Sequence, residues 1–159
     1  MLRAKILVLS DLGVRGERED RSGPAVREVL ESHGWQVVAV ELLPDEFDQI
    51  CARLKTWADS EDCDAIFTSG GTGLSPRDVT PQATRSVIEI EIPGLPELMR
   101  AEGTKSTPLA ALSRAVAGVR NRKLIVNLPG SPRGARESLE IIIKILPHAI
   151  DQIQGRTGH

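Results

Sequence analysis

The chain has 159 residues, 40% of them hydrophobic, which is the size of one domain with a substantial core. Lys+Arg 20 against Asp+Glu 22 leaves a net charge of −2, and aromatic residues make up only 3%, with no tyrosine. That balance argues against nucleic acid or an anionic membrane as partner, and the shortage of rings argues against a stacking platform for single strands.

Residues 4–9 form an apolar run that reads as a buried strand, ending at Ser10-Asp11. Residues 12–21 are polar, with Gly13 and Gly16, and read as a loop flanked by Asp11 and Asp20. Ser22-Gly23-Pro24 starts a helix, serine suiting the N-cap and proline the first turn. Val26, Val29 and Leu30 supply its apolar stripe and Gly34 stops it. Residues 35–40 are a second strand. Pro44-Asp45 then opens a helix over 46–59, with Asp45 in N-cap position and Phe47, Ile50, Leu54 and Trp57 on its apolar face. Residues 64–68 are a third strand. The order β-α-β-α-β with short connections predicts parallel strands, and hence a three-layer α/β fold: a mostly parallel central sheet with helices on both faces.

Helices are expected over 81–90 and 93–102, with an interruption at Thr107-Pro108. Residues 115–119 and 123–128 look extended, the latter apolar enough for a central strand. Ser131 and Pro132 open a last helix, expected to run unbroken from 132 to 154 on the stripe Leu139, Ile142, Ile143, Leu146, Ile150 and Ile153. Cys51 and Cys63 have no metal-type spacing and read as small apolar residues of a reducing compartment. His33, His148 and His159 are too scattered for a zinc site. With no signal peptide and no apolar span near twenty residues, a cytoplasmic protein is expected.

The chemistry concentrates in two glycine turns. The first, Gly70-Gly71-Thr72-Gly73, follows the third strand; the second, Pro129-Gly130-Ser131-Pro132, follows the 123–128 strand. Ends of parallel strands are where open α/β sheets bind ligands, and glycine turns with free N–H groups beside helix N-termini attract phosphate. Ordinary strand-to-helix turns would also use such residues. Asp78 follows the first turn, where it could pair with Arg77, cap a turn, or hold a hard cation such as Mg²⁺. There is neither a P-loop nor a G-x-G-x-x-G after the first strand.

The stretch from Thr68 to Thr84, with its GGTG…PRDVTP core, resembles the signature of the molybdopterin adenylyltransferase family, which is also found as the G domain of gephyrin-like fusions. Two further segments, 112–118 (LSRAVAG) and 124–132 (LIVNLPGSP), are similar to the family's other motifs, as are Ser10-Asp11, the 18–24 loop and Pro44-Asp45. The likeness is collinear over nearly the whole chain. It implies transfer of AMP from ATP to the terminal phosphate of molybdopterin, with Mg²⁺ and release of pyrophosphate. By the same resemblance Gly70, Gly71, Thr72, Gly73, Pro129, Gly130 and Ser131 would cradle the nucleotide. Asp45 and Asp78 would be the catalytic and metal-binding acids, and Ser10, Asp11 and Ser113 would face the pterin substrate. The resemblance also implies a homotrimer and hand-over of product to the molybdate-inserting enzyme. Leu12 stands where many members carry a basic residue, and Gly103 where a bulkier one is expected. A non-catalytic molybdopterin-binding carrier or scaffold is the alternative; retention of both acids and of the PRDVTP segment favours catalysis.

Overall fold

The computed structural model describes residues 1–156. Its six-stranded sheet has the order β2-β1-β3-β6-β5-β4. The strands β1 (Arg3–Leu9), β2 (Gln36–Leu43), β3 (Ala65–Ser69) and β6 (Lys123–Leu128) are mutually parallel. β5 (Ala117–Arg120) runs antiparallel to β6, and the short β4 (Ile90–Glu91) antiparallel to β5. The β5–β6 reversal is made by Asn121 and Arg122, both at positive φ (45° and 64°).

Two apolar clusters sandwich the sheet, as the alternation of strand side chains requires. On one face Ile6, Val8, Phe67, Leu124 and Val126 meet α2 (Ser22–Ser32), α5 (Gly94–Gly103), α6 (Pro132–Ile142) and α7 (Leu146–Ile153). On the other, Leu7, Leu9, Ile66 and Ile125 meet α3 (Phe47–Ala58) and α4 (Thr80–Val87). The three-layer α/β expectation is therefore met. Trp35 packs edge-on against the buried Phe67, ring centroids 5.8 Å apart. Cys51 and Cys63 are buried and free. Among the described residues no helix is long and apolar enough to cross a membrane.

Several boundaries differ from the sequence reading. The polar 12–21 segment begins with a short helix, α1 (Asp11–Val14), whose N-cap is Ser10: its Oγ accepts from the Gly13 N–H at 2.9 Å. At α2 the capping carboxylate is Asp20, which accepts from the N–H groups of Ser22 (2.9 Å) and Gly23, while Ser22 lies inside the helix. The helix expected to reach residue 90 ends at Val87, and Ile90 joins β4. The last helix is two: Pro147 has no N–H for an interior turn and sits instead in the first turn of α7, with a bend at 143–145 between.

Candidate functional site

Both glycine turns emerge at the C-terminal ends of adjacent parallel strands, β3 and β6, and they touch. The Gly70 N–H donates to the Leu128 carbonyl at 3.1 Å, and Ser69 Oγ donates to the Pro129 carbonyl at 2.7 Å. Gly70 (φ +107°) packs so closely on β1 that a Cβ would lie 2.3 Å from the Leu9 carbonyl oxygen. A Cβ on Gly130 would lie 3.2 Å from Gly70 Cα. Below them a fully buried network locks the strand ends together. Asn127 Nδ2 donates to the Oγ1 atoms of Thr68 and Thr84, both at 2.9 Å, while its Oδ1 accepts from the Val116 N–H.

A cleft of about 840 Å³ opens over the turns, lined by Gly70, Gly71, Gly130, Ser131, Ser10, Asp11, Asp45 and Asp78 among others. Next to it lies a second cavity of about 380 Å³, lined by Thr72, Gly73, Pro129 and Ser113 with apolar Met99, Leu109, Leu112 and Ile141. Ser131 borders both. It is also the N-cap of α6, accepting from the Gly134 N–H at 3.0 Å, as the sequence suggested. The structure thus brings every expected site residue to one of two adjoining spaces, and it divides the three grouped as pterin-facing. Ser10 and Asp11 lie with the acids, Ser113 in the neighbouring cavity.

Asp45 is not the helix cap that its position suggested. The cap of α3 is Glu46, with no side-chain cap bond. Asp45 and Asp11 instead bind each other's backbone reciprocally: the Asp11 N–H donates to Asp45 Oδ2 at 3.1 Å and the Asp45 N–H to Asp11 Oδ1 at 2.9 Å. Nor does Arg77 pair with Asp78. Its guanidinium grips both oxygens of Asp11 at 3.0 Å and reaches Glu46 at 2.9 Å, while Asp78 Oδ2 accepts from the Ser75 N–H. The hydrogen bonds from Arg77 hold the Asp11 carboxyl below the usual carboxylate range, helped by the Asp45 N–H. Burial pushes Asp45 the other way, with the charges of Asp11 and Asp78 adding to the rise and the Asp11 N–H and Arg77 opposing it. Asp45 Oδ1 is buried with no hydrogen-bond partner.

Among the described residues there is no cluster of three or more His, Cys, Asp and Glu side chains suited to a metal. Two acids lining one cleft nevertheless fit Mg²⁺, which is usually held by one or two carboxylates together with waters and substrate phosphates. The unpartnered Asp45 Oδ1 is the kind of oxygen such an ion would satisfy.

The family model described as "Probable molybdopterin binding domain" matches residues 5–148. The chain belongs to that family. It is 42% identical over 152 residues to the molybdopterin adenylyltransferase of Helicobacter pylori strain J99, covering 94% of this chain and 86% of that protein. Its fold is similar to the crystal structure of the molybdopterin biosynthesis enzyme MoaB from Thermus thermophilus, with a TM-score of 0.92, 57% identity and 98% of each chain covered. It is also similar to the molybdopterin biosynthesis Mog protein from Mycobacterium ulcerans, with a TM-score of 0.89, 38% identity, and 96% of this chain and 99% of that one covered.

Within this family fold, one residue that the sequence reading passed over has a visible task. Arg114 Nε donates to the Gly73 carbonyl and Nη2 to the Asp78 carbonyl, both at 2.8 Å, and the Arg114 N–H donates to the Thr72 carbonyl at 2.9 Å. It thus braces the loop between the first glycine turn and Asp78. Two of these partners are backbone oxygens some forty residues away, and Nη1 also donates to Gln82 Oε1 at 3.2 Å, so the 112–118 motif that contains Arg114 does not by itself disclose the role. Gly103 also acquires a reason: a Cβ there would come within 3.0 Å of Ala110 Cβ.

Proposed function

We propose that this protein transfers AMP from ATP to the terminal phosphate of molybdopterin, releasing pyrophosphate. The observation that carries the reading is the contact of the two glycine turns over one cleft that also holds Asp45 and Asp78. A terminal phosphate oxygen of molybdopterin attacks the α-phosphorus of ATP; the new P–O bond forms as the bond to the β-phosphate oxygen breaks, and pyrophosphate departs with its electrons. No covalent enzyme intermediate is needed.

The work of the chain is to hold two mutually repelling polyanions in line. N–H groups of the turns other than that of Gly70, which is engaged by Leu128, and the N-terminus of α6 meet phosphate charge. Positioning of this kind can supply roughly 7–11 kcal/mol of barrier lowering. Asp45 and Asp78 would hold Mg²⁺, which when bound neutralises the triphosphate and the departing pyrophosphate. Asp11, already engaged by Arg77 and Asp45, serves to fix Asp45. The half-apolar second cavity, with Ser113 on its wall and Ser131 shared with the first, suits the ring portion of one substrate.

Homotrimer formation, cytoplasmic location and hand-over to a molybdate-inserting enzyme follow the family resemblance. Association is supported by Val38, Val40 and Leu42, three exposed apolar side chains of the edge strand β2. The deciding experiment incubates purified protein with molybdopterin, ATP and Mg²⁺ and follows adenylated product and pyrophosphate together. Stoichiometric formation of both supports catalysis. Molybdopterin binding without pyrophosphate release would make the protein a carrier.

A further inference from the structure

Two side-chain polar atoms among the described residues are buried without a hydrogen-bond partner: Asp45 Oδ1 and Thr80 Oγ1. They converge on one spot. A side-chain carbon at Gly71 would come within 3.1 Å of the first and 2.2 Å of the second. Thr80 is wholly buried at the start of α4, and its N–H donates to the Gly71 carbonyl at 3.2 Å, so the hydroxyl is pinned beside the glycine turn. Asp45 and Gly71 both line the main cleft. Leaving buried polar oxygens unpaired is costly, and such atoms are rare in folded proteins. The carboxylate is an acceptor only, and the hydroxyl offers lone pairs as well as a proton. A divalent cation can take oxygens of both kinds at once as ligands. Nucleotide-binding loops of another fold already combine a Ser or Thr hydroxyl with an aspartate in this way.

We propose that Thr80 Oγ1 joins Asp45 Oδ1 in holding the divalent cation that accompanies the nucleotide. The proposal rests on the functional reading above and adds a hydroxyl to its two acids. Gly71 (φ +70°) is then required twice, for its backbone shape and because a methyl group there would fill the space between the two oxygens. Both atoms are screened from solvent, so entry of the cation calls for a small shift of the turn, which glycine permits.

The test measures Mn²⁺ binding in the presence of α,β-methylene-ATP, from the paramagnetic resonance signal of free Mn²⁺, alongside the Tm of the ligand-free protein. Thr80→Val keeps the shape and removes the hydroxyl. It should weaken Mn²⁺ binding about tenfold or more, a scale typical of lost support at a metal site. Its ligand-free Tm should stay level or rise, because the orphaned hydroxyl is gone. Thr80→Ser should bind Mn²⁺ as the unmodified protein does, and Thr80→Ala should not; this pair differs only in the hydroxyl and decides the matter even where the valine variant fails to fold. Equal Mn²⁺ affinity in the serine and alanine variants, or wild-type affinity in the valine variant, overturns the proposal. Failure of the unmodified protein to adenylate molybdopterin, with the hydroxyl-dependent Mn²⁺ binding intact, would overturn the functional reading and leave this one standing.

Discussion

At the N-terminal ends of the strands every buried charge has company. Lys5, on β1, meets Asp62 at 2.8 Å and lies over the Trp57 ring, Asp64 accepts from the Arg3 N–H and from Gln154, and Lys123 Nζ donates to the Asn121 carbonyl. At the C-terminal ends of the same strands Asp45 and Thr80 each keep a buried oxygen unpaired, and burial, with the charge of Asp78 adding to it, raises the pKa of Asp45. One end is finished as a folded structure. The other is left incomplete in a way that a cationic ligand and a phosphate would complete, the kind of local inconsistency expected of the site proposed above.

The largest effect should come from Asp78→Asn. If the cleft works as proposed, AMP transfer falls about 10²-fold or more, while circular dichroism and Tm hold. Equal turnover would remove Asp78 from the mechanism. Next is Gly70→Ala, which forces a side chain onto φ +107° and onto the Leu9 carbonyl. The backbone strain alone is about 1–3 kcal/mol, so Tm should drop by roughly 5 °C or more; a Tm within about 1–2 °C of the parent would show that the two turns are not held as tightly as their contact implies.

The two ends should also respond to pH with opposite sign. Burial sets the folded pKa of Asp45 above its ordinary 3.8, so its contribution to stability is complete below that value and is lost as pH rises through the raised one. Asp45→Asn should therefore be more stable than the parent near neutral pH without divalent cation, the gap closing on acidification. Asp62 is held below 3.8 by its hydrogen bond from Lys5. Its contribution is present above 3.8 and lost as pH falls through the lower folded value, so Asp62→Asn should lose stability near neutral pH. That loss is small, under about 1 kcal/mol, because Asp62 is largely exposed. Urea unfolding from about pH 3 to about pH 7.5 reads both; matching signs would refute the contrast. Smallest of all, Lys5→Met should leave AMP transfer unchanged and shift stability by less than about 1 kcal/mol, since a buried lysine stem is replaced by apolar volume.

Much of this was visible in the residues. The runs that became β1, β3 and β6 are apolar on both faces, as strands of a covered parallel sheet must be, and the glycine turns sit at their ends. What escaped depends on contacts across the fold. Asp45 after Pro44 looks like a helix cap, and only the packing of α1 against β2 reveals that its carboxylate is bound to Asp11. Arg77 stands beside Asp78 in sequence yet reaches across the cleft to Asp11 and Glu46. Arg114 and Thr80 act through backbone carbonyls and a buried hydroxyl, for which no spacing rule exists. The break before α7 was readable, since Pro147 in mid-helix should have ended the long helix.

Ser131 borders both cavities, and each glycine turn reaches both, Gly70, Gly71 and Gly130 lining one while Thr72, Gly73 and Pro129 line the other. An elongated molecule can consequently straddle the divide, its charged part on one side and its flatter part on the other. If the two reactants divide between the compartments as proposed, a hybrid of both would touch the two at once and leave more slowly than either reactant alone.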